Sequence, residues 1–351
     1  MWMLVTALLW SLLPRGTFSI VAYDPETGEL GVAVASRVLA VGYIVPWAEP
    51  GVGAIATQAL ANVSYGPEGL KLLKEGLSPE EVIQRLTEAD TGRESRQIGI
   101  VDAQGRSAAY TGSGCQPWAG HRTGPNYSVQ GNILVGPEVV DTMAKTFEHT
   151  KGPLAKRLLA ALLAGDQVGG DRRGRQSAAL LVVREHGGYD GVGDRLVDLR
   201  VDDHPQPVQE LARLYDLWSY TFLADAYLRF GDQAKARGDT VRAQKEYARA
   251  IEIMKDAIQK RPESPEVYNA LAWAFATRKM RLEEALQLAQ RAHELAPDDP
   301  NIMDTMAEVL YGLGRYAEAV EWETRALEKS PNDAFFKKQL QKFRRALEGG
   351  K

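Results

Sequence analysis

Cysteine is nearly absent. Cys115 is the single one among 351 residues, which excludes an internal disulfide framework and a cysteine-rich zinc site. The five histidines are scattered, with no HxxxH or HExxH pair, so a zinc enzyme is not expected and no metal site is assigned. Excess positive charge is missing too: 42 basic against 46 acidic residues give a formal net charge of -4, without the basic surplus that a broad grip on nucleic acid needs. There is no P-loop and no G-x-S-x-G. Gly51-x-Gly53-x-x-Ala56 fits the loose dinucleotide pattern but has no helix directly after it, so no cofactor is expected. Long apolar runs are lacking: Trp2–Leu13 (WMLVTALLWSLL) falls short of the roughly 20 residues of a membrane-spanning helix, and no stable membrane span is expected.

What is present is an ordinary globular balance, 44% apolar and 25% charged, in a chain long enough for two domains. The Trp2–Leu13 run matches the apolar region of a secretory signal peptide. It departs from one in having no Lys or Arg before it and Pro14-Arg15-Gly16 where an A-x-A site would stand. Residues 1–16 therefore read as a leader segment and the protein as exported, to a periplasm or beyond the cell. If the run is instead a buried helix, the protein is cytoplasmic.

From Thr17 to about Leu199, short β-rich runs alternate with glycine and a few helical stretches. Thr17–Tyr23 and Leu30–Ser36 flank a DPETGE turn, a hairpin signature. Gly51–Ala59 reads as a strand, Tyr65–Lys74 and Pro79–Ala89 as helices, the second with Ser78 as N-cap and Pro79 in first position. Arg96–Asp102 and Ser107–Thr111 form a second hairpin, Pro137–Thr150 and Pro153–Leu163 a helix pair, Ser177–Arg184 and Arg195–Val201 further strands. This order implies an α+β layered domain. After His204-Pro-Gln-Pro207 strand signals stop. Pro262, Pro297 and Pro331 recur at spacings of 35 and 34, and Ala272, Ala285, Ala292, Ala307, Ala319 and Ala326 occupy the small positions of a tetratricopeptide repeat. One residue is inserted near Lys279. A longer unit (Ser219–Arg261) precedes the two clear repeats and a helix (Asp333–Leu347) follows them as caps of an all-α solenoid. The expected domains are 17–211 and 212–351.

TFSIVAYDPETGELGVAVASR, VPWAEPGVGAIATQALAN, SYGPEGLKLL, PWAGH, QGNILVGPEVV, GGDRRGRQSAALLVV and DLRVDDHPQPVQEL together resemble domain of unknown function 1028, an uncharacterised family regarded as secreted N-terminal-nucleophile (Ntn) hydrolases. The resemblance covers Thr17 to about Leu211. It implies an Ntn-type fold, a four-layer αββα sandwich of two stacked antiparallel sheets between helices, and it names no substrate. The opening also resembles a proteasome-type β subunit, in which a threonine begins the first strand and an xSR sequence ends the second. Thr17 and Ser36-Arg37 fill those places. The acidic residue expected before the serine is Ala35, and the active-site lysine has no counterpart, since the first lysine is Lys71.

A hydroxyl becomes nucleophilic only when a base takes its proton. A free α-amino group, with a pKa of about 7.7–8.0, is better placed for this at pH 7 than an unshifted lysine near 10.4. Thr17, once amino-terminal, is therefore the candidate catalytic residue of an amide- or peptide-bond hydrolase, against the plainer role of a β-branched strand opener. Ser19, on the same strand face, is the second candidate. The oxyanion needs donors in a dry pocket; the Gly53–Gln58 strand and Asn62 are candidates, Asn62 having also the simpler use of capping the helix near Tyr65. Arg37 either holds a substrate carboxylate or makes a structural ion pair. Cys115 and His121 in GSGCQPWAGH offer a thiol–imidazole alternative, with His121 otherwise lining the pocket. Gln58, Asp171, Arg173 and Arg175 complete the expected substrate-binding set, the last three in a tract that can also be a solvated loop. The repeats are expected to hold a protein or peptide partner in their concave groove. The competing reading is a non-catalytic scaffold that keeps the Ntn fold without its chemistry. Association into a homo-oligomer is left open.

Overall fold

The computed structural model describes residues 16–349. The leader reading for residues 1–15 lies outside them. The chain divides into two compact units at Trp218/Ser219.

Among the described residues the first unit is built on ten strands: β1 Thr17–Asp24, β2 Glu29–Ser36, β3 Pro46–Glu49, β4 Gly53–Ala59, β5 Arg96–Asp102, β6 Ser107–Thr111, β7 Gly120–Gly124, β8 Tyr127–Asn132, β9 Ser177–Val183 and β10 Arg195–Val201. They make a six-stranded sheet in the order β10-β9-β2-β1-β8-β7 and a four-stranded sheet β3-β4-β5-β6, and every pairing is antiparallel. The DPETGE turn closes the β1–β2 hairpin with Gly28 at φ 78°, a conformation that glycine adopts without steric cost. The two sheets face each other through β1, β2 and β8 on one side and β4 and β5 on the other.

Helices cover both outer faces. A short α1 (Val41–Ile44) follows β2; α2 (Tyr65–Lys74) and α3 (Pro79–Glu88) lie on the smaller sheet, and α4 (Glu138–His149), α5 (Leu154–Gln167) and α6 (Pro207–Trp218) on the larger. With both faces covered, β1, β2 and β4 read as nearly unbroken small or apolar runs rather than alternating ones. Alternation decides which layer each residue meets. Val21 packs between the sheets with Val32, Val34, Ala54 and Ala56, so Thr17 and Ser19 share that inner face. Phe18 points the other way, toward Gly165 of α5. The N-terminus of α3 carries the expected capping box: Ser78 Oγ accepts from Glu81 N and Glu81 Oε2 accepts from Ser78 N, worth about 1 kcal/mol.

Three strands escape the sequence pattern. β3 and β7 are edge strands with little buried surface, and β8 (YSVQGN) buries Ser128, Gln130 and Asn132 on the face it shares with Thr17 and Ser19, with Tyr127 and Val129 on the other. The expected boundary at 211/212 falls inside α6. That helix buries Val208, Leu211 and Tyr215 on β9 and β10, and Trp218 Nε1 donates to Leu196 O, so the first unit runs to Trp218.

The second unit is all-helical: a π-helical turn at Ser219–Leu223, then α7 (Ala224–Ala236), α8 (Thr240–Lys260), α9 (Pro265–Arg278), α10 (Leu282–Leu295), α11 (Pro300–Gly312), α12 (Tyr316–Lys329) and α13 (Ala334–Gly349). The repeat alanines at 272, 285, 292, 307, 319 and 326 are fully buried where paired helices approach. The inserted residue is absorbed by left-handed backbone at Lys279 (φ 52°) and Arg281 (φ 44°). No helix among the described residues is long and apolar enough to cross a membrane.

Glu323 on α12 stands at an interior position. It is fully buried beside Asp304 and Glu308 of α11, with Lys342 of α13 the nearby cation. Burial, then the charge of Asp304, pushes its carboxyl up to about 9, and burial pushes Asp304 up to about 6. Both lie above their unfolded values, so the stabilising form is the protonated one: it is complete below about pH 4 and lost as pH rises toward 9. Glu323→Gln is expected to flatten this decline and to raise stability at pH 8 by roughly 1–2 kcal/mol. Denaturant unfolding followed by helical circular dichroism between pH 4 and 9 checks it; an unchanged slope would disprove the assignment.

Candidate active site

The β1–β2 register that sets Asp24 opposite Glu29 also sets Thr17 opposite Ser36, and on its other side Thr17 faces Asn132. Thr17 is 3% exposed. Its Oγ1 lies 3.0 Å from Ser36 Oγ, and Ser36 Oγ donates to the carbonyl oxygen of Gly16. Arg173 Nη2 donates to the same oxygen at 2.9 Å. Two donors thus converge on the carbonyl of the Gly16–Thr17 peptide bond, beside the threonine hydroxyl.

Buried Asp171 organises this end of the sheet. Its carboxylate accepts from Arg173 N (3.0 Å), Arg173 Nε (3.0 Å) and Arg173 Nη2 (2.6 Å), and from the backbone N of Arg37 (3.1 Å). The Arg37 guanidinium in turn donates through Nη1 to the Arg173 carbonyl. A Cβ on Gly16 would lie 2.8 Å from both carboxylate oxygens. The carboxylate is held by four donors and cannot swing aside cheaply, so the residue before Thr17 has to be glycine.

Of the expected site residues, Thr17, Arg37, Asp171 and Arg173 are therefore brought together. Gln58 is not on a substrate surface. It is 1% exposed, and its amide faces the interior, donating to Gln97 Oε1 (2.8 Å) and Thr17 O (3.4 Å) and accepting from Ser19 Oγ (2.6 Å). Ser19 is fully buried and also accepts from Gln130 Nε2 at 2.6 Å, which removes it as an accessible nucleophile. The Nδ2 of Asn62 donates to Asp90 (3.3 Å) and its Oδ1 accepts from Ser64 N (3.2 Å) in the turn before α2, so its amide is engaged away from Thr17; the N-cap of α2 itself is Ser64. Arg175 is tied to Asp166 on α5 (2.6 Å), because that carboxylate, itself nearly buried, needs a cation.

The thiol–imidazole pair is not formed. Cys115 Sγ donates to Arg96 O (3.3 Å) and burial pushes its thiol up, away from the thiolate that nucleophilic chemistry requires. His121 Nδ1 is engaged with Thr111 Oγ1 at 2.9 Å, and burial lowers its pKa.

Asp90 lies at a separate feature, a cleft of about 470 Å³ along α2 and α3 that Thr17 does not line. Arg96, foremost, holds its carboxyl well below the usual range, with Gly92 N, Tyr65 and Asn62 as further donors.

Behind Thr17 lies a layer that sequence reasoning missed. Gln97 Nε2 donates to Thr111 Oγ1 (2.9 Å) and Gly131 O (2.8 Å), while its Oε1 accepts from Gln58 and from Asn132 Nδ2 (3.0 Å). Gln130 joins Ser19 to Ser128. Room for it comes from Gly99, where a Cβ would stand 2.0 Å from Gln130 Oε1. The available signals were glutamines in mid-strand, in RQIGIVD and YSVQGN, and the hairpin register for Ser36. Gln97→Leu strips Gln58 and Asn132 of their shared acceptor. A loss of about 2–4 kcal/mol is expected, read by denaturant unfolding; a near-neutral effect would mean that the layer is not a coupled network.

A family model of unknown function, DUF1028, matches residues 17–211. The chain belongs to that family. A solved DUF1028 structure from Silicibacter pomeroyi is 35% identical with a TM-score of 0.55, covering 60% of this chain and 92% of that one. Tetratricopeptide-repeat models match residues 236–300 and 276–339, so the DUF1028 domain is followed by tetratricopeptide repeats. Two curated relatives carry tetratricopeptide repeats in their names. A TPR repeat-containing protein of Pseudomonas aeruginosa is 32% identical over 99 residues, 28% of this chain and 16% of that protein. A small glutamine-rich tetratricopeptide repeat-containing protein 2 of Mycosarcoma maydis is 31% identical over 117 residues, a third of each chain. The chain thus spans a third or less of these relatives' length.

Proposed function

We propose that this DUF1028 protein is an amide-bond hydrolase of the N-terminal-nucleophile type, with its two facing sheets and outer helices as the Ntn sandwich and Thr17 as nucleophile. The observation that carries the reading is the Gly16–Thr17 junction: a threonine hydroxyl and two converging donors meet at the one bond whose breakage frees the Thr17 amine. While that bond stands, the Thr17 nitrogen is a peptide nitrogen and no base. Once it is broken, the α-amine takes the proton of Oγ1 as the oxygen adds to the substrate carbonyl. The C–O bond forms, the C–N bond breaks and the proton leaves on the departing amine; water then hydrolyses the threonyl ester. Ser36 Oγ and Arg173 Nη2, released from Gly16 O, are available to the oxyanion. Arg37, a nearby positive charge with no carboxylate of its own, favours the neutral amine, which offsets the lack of a lysine.

In this reading residues 1–16 are a leader that directs export and is removed at Gly16, and the repeats hold a protein or peptide partner. A scaffold role is the second reading, favoured by Ala35 and by the absence of a lysine before Lys71.

Intact mass and N-terminal sequencing of protein from its native host are expected to give a chain starting at Thr17. That chain should hydrolyse members of an amide library, lose the activity by 10³-fold or more on Thr17→Ala, and show kcat/KM rising with pH to a plateau with an apparent pKa at or below about 8. Retention of residues 1–16 in the native protein, or hydrolysis indifferent to Thr17→Ala, would discard the mechanism in favour of the scaffold.

A further inference from the structure

Three arginines stand at the Thr17 end of the larger sheet: Arg37, Arg173 and Arg175. Their charges are not equally spent. Arg173 is neutralised by Asp171 at 2.6 Å and Arg175 by Asp166 at 2.6 Å. Arg37 has no carboxylate partner among the described residues; its side chain is exposed, and two contacts place the residue. Its backbone N is fastened to buried Asp171 (3.1 Å). Its guanidinium is pinned through Nη1 on the Arg173 carbonyl, a dipole that fixes position without cancelling charge. The Nε and Nη2 of Arg37 remain without a partner among the described residues. That edge is the planar fork that grips a carboxylate through two parallel hydrogen bonds.

Placement sets the reach of that fork. Arg37 directly follows Ser36, whose hydroxyl touches both Thr17 Oγ1 and the Gly16 carbonyl. An uncompensated cation on the residue next to one that touches the nucleophile favours a substrate whose own negative charge lies within a few bonds of the reacting carbon, and the contact with the Arg173 carbonyl meets part of the arginine's ordering cost.

We propose that Arg37 is the specificity residue of this site and that its substrates are amides bearing a nearby carboxylate, namely N-acyl amino acids and peptides cleaved next to their free carboxyl terminus. This rests on the reading of Thr17 as nucleophile and adds to it the chemical class of the substrate.

The test uses the full chain beginning at Thr17 and a panel of N-acetyl and longer N-acyl amino acids, each offered as free acid and as carboxamide, with released amine as the readout. The wild type is expected to prefer the acids by about tenfold or more in kcat/KM, the scale of one charge-assisted contact. Arg37→Gln should erase the preference by slowing the acids about tenfold more than the carboxamides; Arg37→Lys, which keeps the charge without the fork, should recover part of it. Equal rates on the two forms, or an Arg37→Gln loss shared equally by both, would overturn the proposal. If no panel member is hydrolysed, that result counts against the hydrolase reading, and Arg37 is judged separately by calorimetry of the free acids on Thr17→Ala. Salt-sensitive uptake that disappears on adding Arg37→Gln supports the carboxylate site, and absence of uptake overturns it.

Discussion

The geometry at the head of β1 depends on the carboxylate of Asp171. It is buried, so it requires compensation, and it finds this in Arg173 and in the backbone N of Arg37. Those two contacts do more than neutralise it. They aim Arg173 at the Gly16 carbonyl, fix the start of the segment after Ser36, and leave beside Gly16 no space for a side chain. One anion thereby determines the residue before Thr17, the donors around the junction and the position of the next arginine.

The interior behind this end is unusual in its material. Near the β1–β2 turn the sheets meet through valine and alanine, whereas toward Thr17 they meet through serine, glutamine and asparagine. Such amides are tolerable only when donors and acceptors match, and matching requires a fixed register. The network thus locks β1, β4, β5 and β8 together at the end where position matters. None of its side-chain amides carries a titratable group, unlike the repeat unit, where Asp304, Glu308 and Glu323 share one interior.

Most of the framework was legible in the residues. The DPETGE hairpin, the Ser78–Glu81 cap, the helix pair before β9 and the proline spacing of the repeats are local signals, and local chemistry dictates them. What was hidden came from partners distant in sequence. Nothing in GHRTG or YSVQGN shows that these segments line up beside β1, because their pairing is set by the rest of the sheet. Nor could spacing reveal that Gln58 faces inward, that Arg175 belongs to Asp166, or that the Cys115 thiol and the His121 ring are each engaged elsewhere. Ser36 is the instructive case: by motif it reads only as part of the Ser36-Arg37 ending of the second strand, whereas counting outward from the turn would have placed it against Thr17.

The tight fit at Gly16 has a practical side for recombinant production. A chain begun with an initiator methionine directly ahead of Thr17 would put a Cβ 2.8 Å from the Asp171 carboxylate oxygens. To accommodate it the carboxylate would have to yield, and with it the hold on Arg173 and Arg37. Inactivity of such a preparation would then have two sources, the crowded junction and the acylated Thr17 nitrogen; a fusion that keeps glycine at the junction removes the first, and only clean release of Thr17 removes both.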